Sequence, residues 1–320
     1  MTLLVGDIGG TNGRFGLVDG DAVRPRAVRT LANDGFATFE DEVAAYLDAA
    51  PERPDRAVLA VAGPVFGDAM RLTNRDWLID GHALERRFGL TRVALVNDFV
   101  AQAAALPHYS ADELTPIGEA TPIHAPKAAL GPGTGLGVAG LRPAGGGWIP
   151  APSEGGHIEL AAIDSEEFAI LQALRRDFGR VSAEWALSGP GLARLHAAAG
   201  AVAGRGDAAI DTAEVRTRAE AGDVHALASV ALYLRLLARF AGDMALTLGA
   251  QGGVYLCGGV VPRLSALIDP AAFRAAFEAK RPHDDLMRRT ATVIVTSDVA
   301  GLIGCAALAG PAPERDGASR

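Results

Sequence analysis

The chain contains little cysteine and little lysine. Its two cysteines, Cys257 and Cys305, each stand alone in an apolar segment, which excludes a disulfide framework or a zinc cluster. The only lysines are Lys127 and Lys280, and neither follows a glycine. A Walker phosphate-binding loop ends in Gly-Lys, so that motif is absent. Backbone amides, hydroxyls or Arg14 would have to hold any phosphate.

The chain also lacks a surplus of positive charge and a charge-free hydrophobic run. Its formal net charge of −8 argues against a nucleic-acid or membrane-surface binder, because both need a basic face. The segment Met1–Asp7 has no basic residue, unlike a secretion signal. The most apolar stretch, 226–250, carries Arg235, Arg239 and Asp243, so no membrane span is expected there. Together these features predict a cytoplasmic globular protein.

What is present is a repeated pattern of strands, glycine-rich turns and helices over 320 residues, a length that suits two lobes or domains. Apolar runs and turn residues predict the strands, and apolar spacing predicts the helices. The first half has predicted strands at 3–6, 14–18, 22–30, 57–61 and 93–96, and helices at 36–49 and 99–106. The second half has predicted strands at 128–130, 138–141, 148–150, 254–257 and 293–295, and helices at 226–248 and 299–309.

Each half opens with a glycine-rich hairpin turn, which implies a duplicated α/β architecture with the active site between two lobes. We place the boundary within 107–126. The last helix follows a complete second set of strands, so we expect it to return to the first lobe. The predicted small lobe is therefore 1–107 plus 298–320, and the predicted large lobe is 108–297.

The long predicted helix at 226–248 has an apolar stripe that runs from Leu227 to Leu248. Arg235 and Arg239 lie opposite this stripe, on the face expected to meet solvent. The acidic residues of 164–177 are likewise expected to be solvated.

The first glycine-rich turn is Asp7-Ile-Gly-Gly-Thr-Asn-Gly-Arg14. Such a bend exposes consecutive backbone N–H groups, and Thr11 and Asn12 add side-chain donors, a combination that suits phosphate oxygens. Asp7 is at a strand end facing the bend, where it is placed to hold a hydrated Mg²⁺. An ordinary hairpin turn needs only one or two glycines and explains neither Asp7 nor Thr11.

The second turn, Gly133-Thr-Gly-Leu-Gly137, repeats this pattern at the equivalent place in the second half. It is not a dinucleotide-binding fingerprint, because the spacing fails at Leu136 and no helix follows directly. Two glycine-rich turns at matched positions indicate phosphate binding more strongly than one.

Three polar groups outside the turns are candidates for a ligand site. Asn97-Asp98 closes an apolar strand and opens a helix, so it is either a helix N-cap or a general base that takes a proton from a sugar hydroxyl. Glu154-Gly-Gly-His157 suits a loop whose backbone approaches a polar ligand, although His157 alone also fits a metal ligand or a surface residue. Glu184 reads locally as a solvated helix residue.

Taken in order, these segments resemble the bacterial glucokinase family, over about residues 3–309. The resemblance implies the two-lobed, duplicated ribonuclease-H-like fold of the actin/hexokinase ATPases, with the active site in the inter-lobe cleft. The motifs that carry it are Asp7-x-Gly-Gly-Thr-Asn-x-Arg14, Leu72-Thr-Asn-x-x-Trp77, Val96-Asn-Asp-Phe99, Gly131-Pro-Gly-Thr-Gly-Leu-Gly137, Ser153-Glu-Gly-Gly-His157, Leu187-Ser-Gly-Pro-Gly191 and Leu256-Cys-Gly-Gly-Val-Val-Pro-Arg263.

The resemblance also implies a role for each site residue. Asp98 would be the general base that deprotonates the 6-hydroxyl of glucose, and Asp7 would hold Mg²⁺ through water. The residues that would bind the other sugar hydroxyls are Asn97, Glu154, His157 and Glu184. The residues that would bind ATP are Gly6, Asp7, Ile8, Gly9, Gly10, Thr11, Gly133, Thr134, Gly135, Gly258 and Gly259, the last two near the adenosine.

The sequence leaves other interpretations open. The related repressor/kinase sugar proteins use the histidine of a Glu-x-Gly-His element to bind zinc beside a cysteine cluster, which this chain lacks, so no zinc is expected. A kinase for mannose or an amino sugar remains an alternative. A sugar-responsive regulator would carry an N-terminal helix-turn-helix, and a chaperone-type ATPase would not need Asp98 or His157. Similar enzymes are usually homodimers, so we expect a homodimer that binds glucose and ATP and neither nucleic acid nor membrane.

Overall fold

The computed structural model describes residues 1–63, 65–72, 75–205 and 208–310, with the backbone alone at 177 and 178. Thr73 and Asn74 of the Leu72–Trp77 motif lie outside the described residues, as does the segment 311–320, which the sequence predicts to be frayed. The described chain divides into two compact units. The first is made of residues from 1–109 and from 297 onward, and the second of 110–296.

The first unit is built on a five-stranded sheet. Its elements in chain order are β1 (Thr2–Ile8), β2 (Asn12–Asp19), β3 (Arg26–Ala32), α1 (Phe39–Asp48), β4 (Arg56–Val61), β5 (Ala69–Arg71), β6 (Leu78–Asp80), α2 (Gly81–Phe88), β7 (Val93–Asn97) and α3 (Asp98–Ala105). The strand order in the sheet is β3-β2-β1-β4-β7, and β5 pairs with β6 as a separate hairpin. β1 to β3 form an antiparallel meander, and β4 and β7 continue the sheet in parallel with β1.

In the first unit, two elements begin three or more residues later than predicted. The strand predicted at 22–30 begins only at Arg26, since Pro25 has no N–H to give to the ladder. The helix predicted at 36–49 begins at Phe39, because the hydroxyl of Thr38 accepts the N–H of Asp41 at 3.2 Å and caps the helix there.

The second unit repeats the sheet and adds helices to it. Its elements are β8 (Leu114–Ile117), β9 (Lys127–Pro132), β10 (Leu136–Ala144), β11 (Gly147–Ser153), α4 (Ser165–Phe178), α5 (Ala183–Leu187), α6 (Gly189–Val202), α7 (Thr212–Glu220), α8 (Val224–Leu248), β12 (Val254–Leu256), α9 (Val260–Arg263), α10 (Pro270–Glu278), α11 (Asp284–Arg289) and β13 (Thr292–Val295). Each unit also contains short 3₁₀ helices. They are Asn33–Gly35, Leu106–His108, Ala111–Glu113, Gly155–His157 and Ser265–Leu267.

The strand order in the second sheet is β11-β10-β9-β12-β13-β8. Here too an antiparallel meander is continued by two parallel strands, and only the antiparallel edge strand β8 has no counterpart in the first sheet. The duplicated α/β architecture predicted from the two glycine-rich hairpins is thus confirmed.

Helix α8 is the central helix of the second unit. By length and composition this helix could cross a membrane, but 67% of its 18-residue apolar segment is buried inside the unit. The prediction that Arg239 lies on a solvated face is wrong: Arg239 is buried and pairs with Glu167 of α4, which is buried as well. The solvated interpretation of the acids in 164–177 therefore fails at Glu167.

The final helix, α12 (Ala300–Leu308), belongs to the first unit. Leu302 and Cys305 share a buried cluster with Leu3 and Val5 of β1 and with Ala101 of α3. Along this contact the helix comes so close to α3 that a Cβ at Gly304 would meet the carbonyl oxygen of Ala101 at 1.8 Å. The first unit is thus completed by residues from the far end of the sequence.

Candidate active site

In the first unit the candidate residues follow the carboxyl ends of neighbouring parallel strands. The register pairs Ile8 of β1 with Val61 of β4, and Val61 with Asn97 of β7. The first glycine-rich turn and Asp98 therefore lie at one edge of this sheet, where α/β proteins commonly bind ligands.

The first turn is held by hydrogen bonds to both of its ends. The N–H of Gly9 donates to the carbonyl of Asn12 at 3.0 Å, and the N–H of Asn33 donates to the carbonyl of Thr11 at 2.9 Å. The side-chain amide of Asn33 donates to the carbonyl of Gly9 at 2.9 Å. Thr11 and Asn12 are exposed, with Gly9 and Gly10 partly so. Asn33 is a supporting residue that the sequence did not reveal, because Asn-Asp-Gly after a strand indicates only a turn.

The other residues predicted to bind ATP at this turn lie inside β1. A Cβ at Gly6 would meet the side chain of Leu59 at 2.7 Å, so this glycine is needed for packing. Ile8 is a fully buried core residue. Gly6 and Ile8 can therefore contact a ligand only through their backbone groups.

Asp7 is partly buried against the final helix. A Cβ at Gly301 would meet its Oδ2 at 2.4 Å, so the carboxylate occupies the space that a side chain there would need. Burial raises the pKa of Asp7, and the charge of Arg14 opposes that rise. A positively charged ligand at this edge would favour the ionised form.

A second carboxyl, that of Glu42 on α1, lies beneath the first turn. Its side chain is fully buried and neither oxygen has a hydrogen-bond partner that satisfies ordinary geometry. A Cβ at Gly13 would meet Oε1 of Glu42 at 2.6 Å, so the carboxyl packs directly on the turn. Burial raises the pKa of Glu42 to about 7, against smaller opposing effects of the Gly13 amide and Arg75.

Asn97 and Asp98 form a linked pair at the start of α3. Oδ1 of Asn97 accepts the N–H of Phe99 at 2.9 Å and that of Val100 at 3.2 Å, so Asn97 is the helix N-cap. Its amide donates to Oδ1 of Asp98 and to the carbonyl of Gly63, both at 3.0 Å. The N–H of Phe99 also donates to Oδ1 of Asp98 at 3.0 Å. The capping interpretation therefore holds for Asn97, and the same contacts orient Asp98.

In the second unit the second glycine-rich turn is attached to α5 and to the first residue of α6. The N–H of Gly189 donates to the carbonyl of Gly133 at 2.7 Å. The N–H of Leu136 donates to Oε2 of Glu184 at 2.9 Å. Gly135 leaves the room for this carboxylate, because a Cβ there would meet Oε2 at 2.5 Å. Thr134 is exposed.

Glu154, His157 and Glu184 lie together beside this turn. Nε2 of His157 is 3.7 Å from Oε2 of Glu154, and its Nδ1 is 3.9 Å from Oε1 of Glu184. The segment from Glu154 to His157 comes close to the second glycine-rich turn at Gly156, where a Cβ would meet the carbonyl oxygen of Leu136 at 1.9 Å. Acceptor oxygens and an imidazole in one exposed group can bind several hydroxyls of a polyol.

On the other side of the second turn is a cavity of about 930 Å³. The cavity wall includes Gly133, Thr134 and Gly259. Gly258, which comes just before Gly259 in the chain, has a φ of +81°. A Cβ at Gly133 would meet nothing within 4 Å, and one at Gly259 would meet only the end of Arg263 at 3.8 Å. Cationic side chains also line the cavity, namely Arg194, Arg216 and Arg263. Such a lining suits an anionic ligand.

Over residues 1–63, 65–72, 75–205 and 208–310, no group of three or more His, Cys, Asp or Glu side chains is arranged to hold a metal ion. Among those residues, the two cysteines are both buried and unpaired.

Comparison with known proteins identifies the family. A family model described as Glucokinase matches residues 4–311. A glucokinase of Caulobacter vibrioides is 42% identical over 309 residues, which cover 95% of this chain and 93% of that protein. The crystal structure of a glucokinase from an Antarctic psychrotroph is 33% identical, with a TM-score of 0.86 over 96% of this chain and 98% of its own.

More distant structures share the fold. A ROK family glucokinase from Streptomyces griseus, solved in complex with glucose and AMPPNP, is 22% identical with a TM-score of 0.65, over 96% of this chain and 98% of its own. The fold predicted from the resemblance is confirmed by these likenesses. With a family model that spans nearly the whole chain and relatives above 40% identity, this chain belongs to the glucokinase family.

Proposed function

We propose that the protein transfers the γ-phosphoryl group of ATP to the 6-hydroxyl of glucose. The observation that carries this proposal is the position of Asp98, which is oriented by Asn97 at the same edge of the sheet as the first glycine-rich turn. Phosphoryl transfer depends on positioning and on charge neutralisation, with a carboxylate that orients the nucleophile. Family membership and the glucokinase names of the relatives support the same reaction.

Asp98 would act as the general base. Its Oδ1 is held by Asn97 and by the N–H of Phe99, so the carboxylate is fixed before substrate arrives. A carboxylate placed within hydrogen-bond reach of a hydroxyl can take its proton as the oxygen attacks.

The sugar would be recognised by the exposed polar group of the second unit, Glu154, His157 and Glu184. Each carboxylate can accept from two hydroxyls, and the imidazole can donate or accept. Asn97 would contribute to the set through Asp98, because its two amide N–H groups already donate to the carbonyl of Gly63 and to Oδ1 of Asp98.

The nucleotide would be bound by the two glycine-rich turns and by the cavity beside the second. The backbone N–H groups of Gly9–Thr11 and Gly133–Gly135 suit phosphate oxygens. Gly133 and Gly259 leave open space at the cavity wall, and the arginines provide positive charge. The Streptomyces griseus protein, solved with AMPPNP, supports a nucleotide as the donor.

The residues present also fit Mg²⁺ as the companion of ATP. Asp7 offers a carboxylate at the strand end beside the first turn, and Mg²⁺ usually takes one or two carboxylates together with water and phosphate oxygens. When bound, Mg²⁺ supplies neutralisation of the phosphate charge. We further propose, on the sequence evidence alone, a cytoplasmic homodimer with the lobe boundaries given above.

The test is a coupled assay for glucose 6-phosphate with purified protein, glucose, ATP and Mg²⁺. We expect turnover of roughly 1–10³ s⁻¹ for the wild type. Asp98→Asn should lower kcat by about 10²–10⁴-fold while glucose affinity stays within roughly tenfold. The matched control is Asp80→Asn, which changes the capping aspartate of α2 in the same unit.

Two results would contradict the proposal. Near-normal turnover in Asp98→Asn would remove the base assignment. A higher kcat/KM for mannose or an amino sugar than for glucose, in the same assay, would displace glucose as the substrate.

A further inference from the structure

Glu184 makes two contacts of different kinds with its two carboxylate oxygens. Oε2 accepts the N–H of Leu136, at the end of the second glycine-rich turn, at 2.9 Å. Oε1 lies 3.9 Å from Nδ1 of His157, within the polar group proposed to bind sugar. The side chain is 28% exposed, so one oxygen can serve the turn while the other meets a ligand.

Backbone hydrogen bonds and the pairing of β9 with β10 also support the turn. Within it, the N–H of Gly133 donates to the carbonyl of Gly135 at 2.8 Å. Outside it, the N–H of Gly189 donates to the carbonyl of Gly133. Glu184 lies near the start of α5 and Gly189 is the first residue of α6, so two consecutive helices each hold one end of the turn.

The packing around the carboxylate fixes its position. Gly135 has no side chain where Oε2 of Glu184 lies, and a methyl group there would approach that oxygen to 2.5 Å. Arg194, which lines the nucleotide cavity, stacks on Trp185 at 3.7 Å. Burial lowers the pKa of Arg194, and the negative charge of Glu184 opposes that shift. A change at Glu184 therefore affects the turn, the cavity and the sugar group together.

We propose that Glu184 is a positioning residue for the second phosphate-binding turn in addition to a sugar ligand, and that it couples glucose binding to nucleotide binding. The inference rests on the proposed function. A sugar that fixes Oε1 also fixes Oε2 and hence the N–H of Leu136, so the turn is ordered before ATP binds. Since coupling between two ligands is reciprocal, bound nucleotide strengthens glucose binding by the same factor.

The experiment measures the affinity of the non-hydrolysable analogue AMPPNP, with Mg²⁺ and without sugar, by titration calorimetry. Glu184→Ala removes the acceptor of the Leu136 N–H, and we expect it to weaken analogue binding about tenfold, or about 1.4 kcal/mol. Glu184→Gln keeps an acceptor oxygen and should restore most of that affinity while glucose binding stays impaired. Glu154→Ala is the matched control, because Glu154 belongs to the sugar group and its carboxylate lies beside His157; it should weaken glucose binding alone.

Gly135→Ala tests the same link from the other side. Its new methyl group displaces Glu184, so we expect weaker glucose binding as well as weaker analogue binding, whereas Gly133→Ala, which meets nothing within 4 Å, should affect the analogue alone. Analogue affinity within twofold of wild type in folded Glu184→Ala, or unchanged glucose affinity in Gly135→Ala, would overturn the coupling. If the wild type itself did not bind AMPPNP, the proposed nucleotide site would fail, and the coupling with it.

Discussion

At the scale of single residues, Glu42 lies in an environment that is unfavourable for a charged carboxylate. Its carboxyl group is fully buried on α1, and neither oxygen has a hydrogen-bond partner with ordinary geometry. Taking a carboxylate out of water disfavours its charged form, which is why its pKa rises to about 7 from 4.5. In the unfolded chain the same group ionises near 4.5. Between those two values the unfolded chain therefore loses a proton that the folded protein keeps.

This difference predicts that Glu42 makes the protein less stable as the pH rises from 4.5 to 7. The unfolded state binds fewer protons in that window, so the free energy of unfolding falls with pH and is lower by roughly 3 kcal/mol above pH 8. Glu42→Gln should abolish that part of the pH dependence. Chemical unfolding of wild type and variant between pH 4.5 and 8 measures it.

The control for this prediction is Asp48→Asn on the same helix, whose side chain is 76% exposed. It should leave the pH dependence as in the wild type. Parallel stability curves for wild type and Glu42→Gln would show that Glu42 titrates alike in the folded and unfolded chain. Comparing variant with wild type cancels the contribution of other carboxyl groups.

The site residues divide sharply by how much of their role the sequence could predict. The positions of Asp98 and the two glycine-rich turns were predictable, because apolar strands and the turn residues that follow them can be recognised in the sequence; their roles in the reaction stay predictions. Asn33 and Glu42 were missed. Their roles depend on contacts with the first turn, which is separate from them in the sequence and meets them only in the folded chain. Glu184 was assigned to the sugar through resemblance alone, and its hydrogen bond to Leu136 joins residues 48 apart in the sequence.

At the scale of elements, α8 shows where helical periodicity misleads. Arg239 was placed on a solvated face because it lies opposite the apolar stripe. In the structure Glu167 of α4 reaches that face and accepts from Nη1 of Arg239 at 2.7 and 2.8 Å. Nη2 of Arg239 also donates to the carbonyl of Ala161 at 2.7 Å. A helix surrounded by neighbours buries nearly its whole circumference, and periodicity does not reveal which charges find partners inside.

Breaking this ion pair should destabilise the second unit strongly. Glu167→Ala leaves the Arg239 guanidinium buried without its carboxylate, and we expect a loss of about 3–5 kcal/mol. Urea unfolding monitored by circular dichroism measures it. Arg235→Ala is the control, because Arg235 contacts the same carboxylate but its side chain is 42% exposed; a loss below about 1 kcal/mol is expected.

The double variant Glu167→Leu with Arg239→Met separates the ion pair from simple packing. It removes both charges together, so most of the stability lost in Glu167→Ala should return. A double variant as unstable as the single one would mean that the shape of these side chains, and not their charge, holds α4 on α8.

At the scale of the whole molecule, the duplication was predictable because each half begins with the same strand–turn–strand pattern. The added elements were less predictable: β5 and β6 have only three residues each, and the edge strand β8 pairs with β13, which is distant in the sequence. The return of the last helix follows from an apolar segment left over after the second sheet is complete. In the structure it fills the core beside β1, and Sγ of Cys305 donates to the carbonyl of Gly6 at 3.3 Å.

Because of this return, the first unit cannot complete its core until the end of the chain is made. Leu302, Ile303 and Cys305 are each fully buried, and burying a large aliphatic side chain contributes about 1.5–3 kcal/mol. Ending the chain at Thr296 removes these groups and exposes Leu3 and Val5, a loss of roughly 5 kcal/mol or more, comparable with the whole stability of a typical domain. We expect such a chain to be insoluble or to lose protease resistance in residues 1–109.

A chain ending at Gly310 is the control, since it keeps every contact of α12 described here, including the hydrogen bond from Arg56 to the carbonyl of Ala309 at 2.9 Å. It should match the full-length protein in soluble yield and in its pattern of limited proteolysis. If the chain ending at Thr296 also matched, the first 109 residues would fold without α12. The long-range closure of the first unit would then contribute little to its stability.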